Sequence, residues 1–227
     1  MEDIFQFLTK GRYTTENFSF LGNIRFIIIG YFKVLLFYIL ILILFSSLGL
    51  MNSNNSPSIK DESIPVYFKL LFICILMPIL EELLFRFPLK PDKTTIIVSV
   101  VCGNLFLFFM TKKFFGDHKI LMYSFYLAIS IITVTFVSIR HIGILNFINN
   151  NFVISLHLLT ISFCLIHYGN FNFKVGSVTP YLLMFLMLLN GYYFAYTRLR
   201  FGISYSILIH AFHNILISLP ILIKLLK

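Results

Sequence analysis

Seven apolar stretches, each near the length that crosses a bilayer, constrain this chain more than any single motif does. They run from about Val34 to Met51, Val66 to Phe87, Thr95 to Met110, Ile120 to Ile139, Phe152 to Tyr168, Val178 to Tyr196 and Ile203 to Leu226. A spanning helix needs about 20 mainly apolar residues. The stretches are apolar nearly all round rather than alternating, which favours helices over a barrel. The first starts nearer Ile24 if Lys33 snorkels to the interface, and Ile142 to Phe147 is a candidate for an eighth, broken element. The expected fold class is therefore all-α, a polytopic transmembrane helical bundle of about seven spans.

The connections are short and polar: NSNNSPSIKDES, KPDK, TKKFFGDHK and INNN. None has room for a soluble domain. With no visible internal repeat, a transporter built from inverted repeats gains no support. The chain divides into an N-terminal segment with the first span, 1–64, and a core, 65–227, that carries every motif discussed below.

At 59% hydrophobic and 12% charged, the 227 residues fall outside the usual soluble range. The net charge of +9 is scattered over loops and span ends rather than gathered in a stripe. Anionic lipid head groups, not nucleic acid, are the expected partners of those charges. Lys and Arg divide almost evenly between odd and even loops, so orientation stays open. The first residues mix Glu2, Asp3 and Glu16 with Lys10, Arg12 and Arg25 and show no small-residue cleavage site, so no cleaved signal peptide is expected. Cys74, Cys102 and Cys164 lie within spans without CxxC spacing and read as small buried side chains. Richness in Phe, Ile, Lys and Asn fits an AT-rich bacterial genome, hence an expected multi-pass location in a bacterial plasma membrane.

Glu81 and Glu82 are the only two of nine acidic residues inside a long apolar stretch. Each intramembrane carboxylate costs about 2.5–3.5 kcal/mol on insertion scales, so adjacent ones need a partner or a task. At about 100° per residue, Arg86 lies about 40° round the helix from Glu82 but about 140° from Glu81. The ion pair is expected at Glu82. Glu81 then points elsewhere in the bundle without a local cation, which suits a general base that takes a proton from water. Pro78, one turn earlier, frees a backbone carbonyl and can kink the helix.

Four histidines fall in spans: His157, His167, His210 and His213. Phe163 and His167 share a face at a spacing of four, as do His210 and Asn214. His213 is turned about 60° from His210. A Glu and a His can jointly polarise a water, while a second His and an Asn amide can donate to the oxyanion formed when a carbonyl is attacked. No Ser or Cys stands in an evident nucleophile setting, so water is the expected attacker. Glu and His also bind zinc, but the nearest string, His210-Ala211-Phe212-His213, is not HExxH. No metal or other cofactor is assigned.

Three motifs carry a family resemblance: Glu81-Glu82-Leu83-Leu84-Phe85-Arg86, Phe163-Cys164-Leu165-Ile166-His167 and His210-Ala211-Phe212-His213-Asn214. In that order, each in an apolar stretch, they resemble the signatures of the CPBP family of CAAX proteases and bacteriocin-processing enzymes. That family is also called Abi and is related to the type II CAAX prenyl endopeptidases. The resemblance covers about Pro65 to Leu219. It implies a glutamic intramembrane endopeptidase without an obligate metal. By motif match, Glu81 and His167 activate water, His210 and Asn214 form the oxyanion hole, Glu82 and Arg86 orient the site, and Phe163 packs against His167. The pattern departs from familiar members in spacing, with 85 residues between Glu81 and His167. Two extra spans would fit there and keep the two motif helices antiparallel. Phe87 and Pro88 also replace the usual small residue after the motif arginine.

The expected activity is hydrolysis of a peptide bond in a membrane-associated or lipidated peptide or protein. Two alternatives stand beside it. One is a catalytically silent scaffold or immunity protein that binds a partner kinase, peptide or toxin. The other is a proton-coupled transporter, since intramembrane Glu and His also relay protons. The peptidase reading demands that Glu81 and His167 share a depth; an offset of about 15 Å, ten residues of helical rise, would defeat it.

Overall fold

In a computed structural model of the chain, residues 2–10, 19–50, 65–111, 118–168 and 178–225 are described, and they contain helices and no strand. The helices are α1 (Glu2–Lys10), α2 (Phe20–Ser47), α3 (Val66–Leu71), α4 (Met77–Phe85), α5 (Lys93–Thr111), α6 (Lys119–Asn150), α7 (Phe152–Ile166), α8 (Thr179–Phe201) and α9 (Ile203–Leu225). A π-helical segment, Phe72–Leu76, joins α3 to α4, and a 3-10 turn, Phe87–Leu89, follows α4. Among the described residues two helices, Phe20–Ser47 and Ile120–Asn150, are long and apolar enough to cross a membrane. Shorter apolar stretches lie at Lys93–Phe109, Phe152–Ile166 and Ile203–Leu219.

Most predicted boundaries fall within a few residues of these elements, and the exceptions have local causes. The first apolar helix starts at Phe20, well before Val34 and close to the alternative start at Ile24. Ser19 caps it, its side chain accepting from Gly22 N at 3.2 Å, and the helix carries Arg25 and Lys33 along its length. INNN is not a free connection: α6 runs through Asn150, and Asn151 alone separates it from α7. The candidate element at Ile142–Phe147 is part of α6. KPDK is a true connection, closed by a reciprocal cap in which Thr95 N donates to Asp92 Oδ1 and Asp92 N donates to Thr95 Oγ1, both at 2.8 Å. The connections at 52–63 and 112–117, and Gly169, which by its residue type is expected to break the helix after His167, lie outside the described residues.

α8 is the central helix. Every residue from Tyr193 to Leu199 is buried, among α1, α2, α7 and α9. Enclosure by protein lets it carry Asn190, Thr197 and Arg198 inside. Gly202, at φ +113°, turns the chain from α8 straight into α9, a backbone geometry that side chains strongly disfavour. α2 is clipped to α8 where Tyr193 Oη donates to Ile27 O at 2.6 Å. On the other flank α5 lies between α4 and α6, with Ser99 Oγ 2.7 Å from Leu83 O and Asn104 Nδ2 donating to Thr133 Oγ1 at 2.9 Å. α1 lays Phe7, fully buried, against the Tyr196 ring.

The π segment follows from Pro78. Met77 N–H reaches back five residues to Phe72 O, so the next carbonyl in register, Ile73 O, would be bonded by residue 78. Proline has no N–H to give. The helix widens over this turn, and a side chain from α9 supplies the missing donor.

Candidate active site

α4, α7, α8 and α9 meet around the two glutamates. Glu81 faces His167 while Phe85, four residues on, meets Phe163, four residues back. α4 and α7 are therefore antiparallel, and the two intervening helices α5 and α6 preserve that relation across the long insertion. α7 has 15 residues, about 22 Å of rise. His167, just past its end, sits beside Glu81, midway along α4.

Glu82 is fully buried and bound mainly by α9. Its Oε1 accepts from His210 Nδ1 at 2.9 Å and its Oε2 accepts from Ser206 Oγ. The Arg86 Nε lies 3.7 Å from Oε1, an ion pair rather than a hydrogen bond. The guanidinium instead stacks 3.8 Å from the Phe163 ring centroid, and Nη2 donates to Gly191 O at 3.4 Å. Arg86 Nε and Nη1 make no hydrogen bond. Helix angles thus placed Arg86 correctly on Glu82's side, but the closest contacts to that carboxylate come from a helix they could not locate.

Glu81 presents one oxygen to each of two imidazoles: Oε1 is 3.7 Å from His167 Nε2 and Oε2 is 3.5 Å from His210 Nε2. His210 consequently bridges both glutamates, with Nδ1 to Glu82 and Nε2 to Glu81. Stacking on Phe194, with centroids 4.5 Å apart at 19°, and an edge contact with Phe163 hold its ring.

The tautomer of His167 follows from the end of its helix. His167 N–H bonds Cys164 O at 3.1 Å, an i−3 contact that tightens the last turn. Phe163 O is left for the side chain, and Nδ1 donates to it at 2.7 Å. A carbonyl only accepts, so Nδ1 carries the hydrogen and Nε2 is the basic nitrogen turned to Glu81. Phe163 packs on the same imidazole, centroids 4.8 Å apart. At 13% exposure, His167 is the most open side chain of the cluster.

Asn214 sits otherwise than the shared face with His210 suggests. Its Nδ2 donates to Ile73 O at 2.9 Å, supplying the bond that Pro78 cannot make. The structure brings Glu81, Glu82, Arg86, Phe163, His167 and His210 together, and it places the Asn214 amide on the backbone of the π segment. His213 turns away to Tyr31 and Asn190, and His157 Nδ1 lies 2.7 Å from Tyr192 Oη. Ser206 was missed, although it lies one turn before His210 on the same face and that spacing was the available signal. Tyr31 and Asn190 had no comparable signal in sequence.

Two basic imidazole nitrogens converging on one carboxylate, with a second carboxylate and a guanidinium behind, can exchange protons with a small molecule between them. Among the described residues no group of three His, Cys, Asp or Glu side chains is arranged to hold a metal ion. Compared with known proteins, the chain matches no family model, no curated protein and no solved structure.

Proposed function

We propose that the chain is a multi-pass membrane peptidase in which Glu81 and His167 activate a water for attack on a peptide bond. The seven membrane helices of this reading are α2, the run from α3 through α4, then α5, α6, α7, α8 and α9. Polarity arranged inside-out supports it. Leu36, Leu40, Ile43 and Leu44 of α2 and Ile131, Ile132, Phe136 and Ile139 of α6 are exposed, while Glu82, Arg86, Ser206 and His210 are buried. Such a large apolar exterior suits lipid.

The single observation behind the chemistry is the facing of two acceptors, Glu81 Oε1 and His167 Nε2, at 3.7 Å. One water about 2.8 Å from each can donate both hydrogens, leaving its oxygen lone pair for a carbonyl carbon. Attack transfers a proton to Glu81, which then delivers it to the leaving amine. Glu82 accepts from His210 Nδ1–H and so holds the ring with Nε2 turned to Glu81, while the Arg86 guanidinium balances the charge of Glu82 behind it. The substrate class is a membrane-associated or lipidated peptide, entering on the side where His167 is open.

Purified protein in liposomes, incubated with a peptide library, is expected to cleave. Glu81→Gln and His167→Ala should abolish cleavage while the protein stays folded, and a chelator should leave it unchanged. Full activity in both variants would overturn the proposal. The near-complete burial of Glu81, Glu82 and His210 favours a second reading, a silent scaffold that keeps these residues for packing. On that reading the same variants lower stability, and no substrate is cut.

A further inference from the structure

We propose that Tyr31, His213 and Asn190 are a positioning triad that fixes the rotation of α9, and through it the seat of His210 between the two glutamates. All three are buried, and they come from α2, α9 and α8. Asn190 Nδ2, a donor, lies 3.3 Å from His213 Nε2, so that nitrogen accepts. His213 Nδ1–H then donates to Tyr31 Oη at 2.7 Å. A buried imidazole, amide and phenol are unfavourable unless bonded, and apolar side chains would fill the same space. Polar groups kept in such a place fit a role in registry.

The link to His210 is direct. His213 stands one turn from it on α9, about 60° round the axis. Rotating α9 to carry His210 off Glu82 also pulls His213 away from both partners. Phe194 lies against both rings, face to face with His210 and at 70° to His213, centroids 5.9 Å apart. Asn190 also adjoins Gly191, whose carbonyl accepts from Arg86. α2, which carries none of the three motifs, thereby sets a residue of the site without touching it.

The kinetic arm of the test rests on the peptidase reading; the spectroscopic arm does not. Tyr31→Phe removes one oxygen and keeps the ring. In labelled full-length protein, imidazole nitrogen NMR should show the His210 signals moving together with those of His213, the assignments coming from His213→Phe and His210→Phe. Cleavage should lose about 10- to 100-fold in kcat with KM unchanged, and His213→Phe should cost clearly less in the Tyr31→Phe background than in the wild type. If Tyr31→Phe does not fold, Asn190→Ala reads the same signals. His213 signals that move while those of His210 stay at wild-type positions would overturn the triad. A wild type that cuts nothing would overturn the peptidase reading alone, and the NMR result would still decide this one.

Discussion

Gly191→Ala tests the packing that holds Arg86, whatever the protein does. A Cβ at this position would lie 2.9 Å from Thr160 Cγ2, 3.2 Å from Arg86 Nη2 and 3.2 Å from Phe163 Cδ1. The first distance is shorter than real carbon contacts allow. Thr160 is buried and its hydroxyl is held by Leu156 O at 2.8 Å, so the methyl cannot simply rotate away. Phe163 is pinned between the guanidinium and the imidazoles of His167 and His210. The strain must therefore open the α7–α8 contact, at a cost of about 1–3 kcal/mol for one added methyl in a filled interior. Thermal unfolding in detergent should fall at about 2–4 °C per kcal/mol. Thr160→Ser deletes the closest atom, so Gly191→Ala with Thr160→Ser should recover most of the loss relative to Thr160→Ser alone. A Gly191→Ala protein as stable as wild type, or a double variant with no recovery, would refute this account of how α7, α8 and Arg86 fit together.

Three further outcomes follow from the polar contacts. Ser206→Ala strips one donor from the buried Glu82 carboxylate and should lower stability by about 1.5–3 kcal/mol in denaturant titrations. Arg86→Leu leaves that carboxylate without its cation and should cost about 3–5 kcal/mol, much of it recovered by adding Glu82→Gln. Asn214→Leu orphans Ile73 O at about 1–3 kcal/mol; in a Pro78→Ala background, where residue 78 regains an N–H, the same change should cost clearly less in a double-mutant cycle.

Helical class, most element boundaries and the pairing of Arg86 with Glu82 were legible because each depends on local spacing. Apolar runs mark helices, and an i,i+4 step puts Arg86 on the side of Glu82. In sequence the start of α2 lies open between Val34 and Ile24 because Arg25 and Lys33 interrupt its apolar run. The earlier start is nearer the structure, since a helix tolerates charges where long side chains reach out of the bundle. For a different reason, the bond that Asn214 makes was not legible: its spacing from His210 gives no sign that Pro78, on another helix, leaves a carbonyl that needs a donor.

By itself the sequence determined that the chain is helical, that two carboxylates must be sheltered inside it, and which side chains could serve them. Those are consequences of residue type and period. Only the tertiary structure decided that His210 stands between Glu81 and Glu82, that Ser206 rather than Arg86 makes the closer contact to Glu82, and that Tyr31 reaches α9 from a helix with none of the motifs. Period locates a side chain on its own helix; which helix lies opposite, at what depth and rotation, follows from how all of them pack at once. The early end of α7 shows the two together: a tightened last turn, local in origin, becomes a positioned imidazole only because α4 is packed beside it.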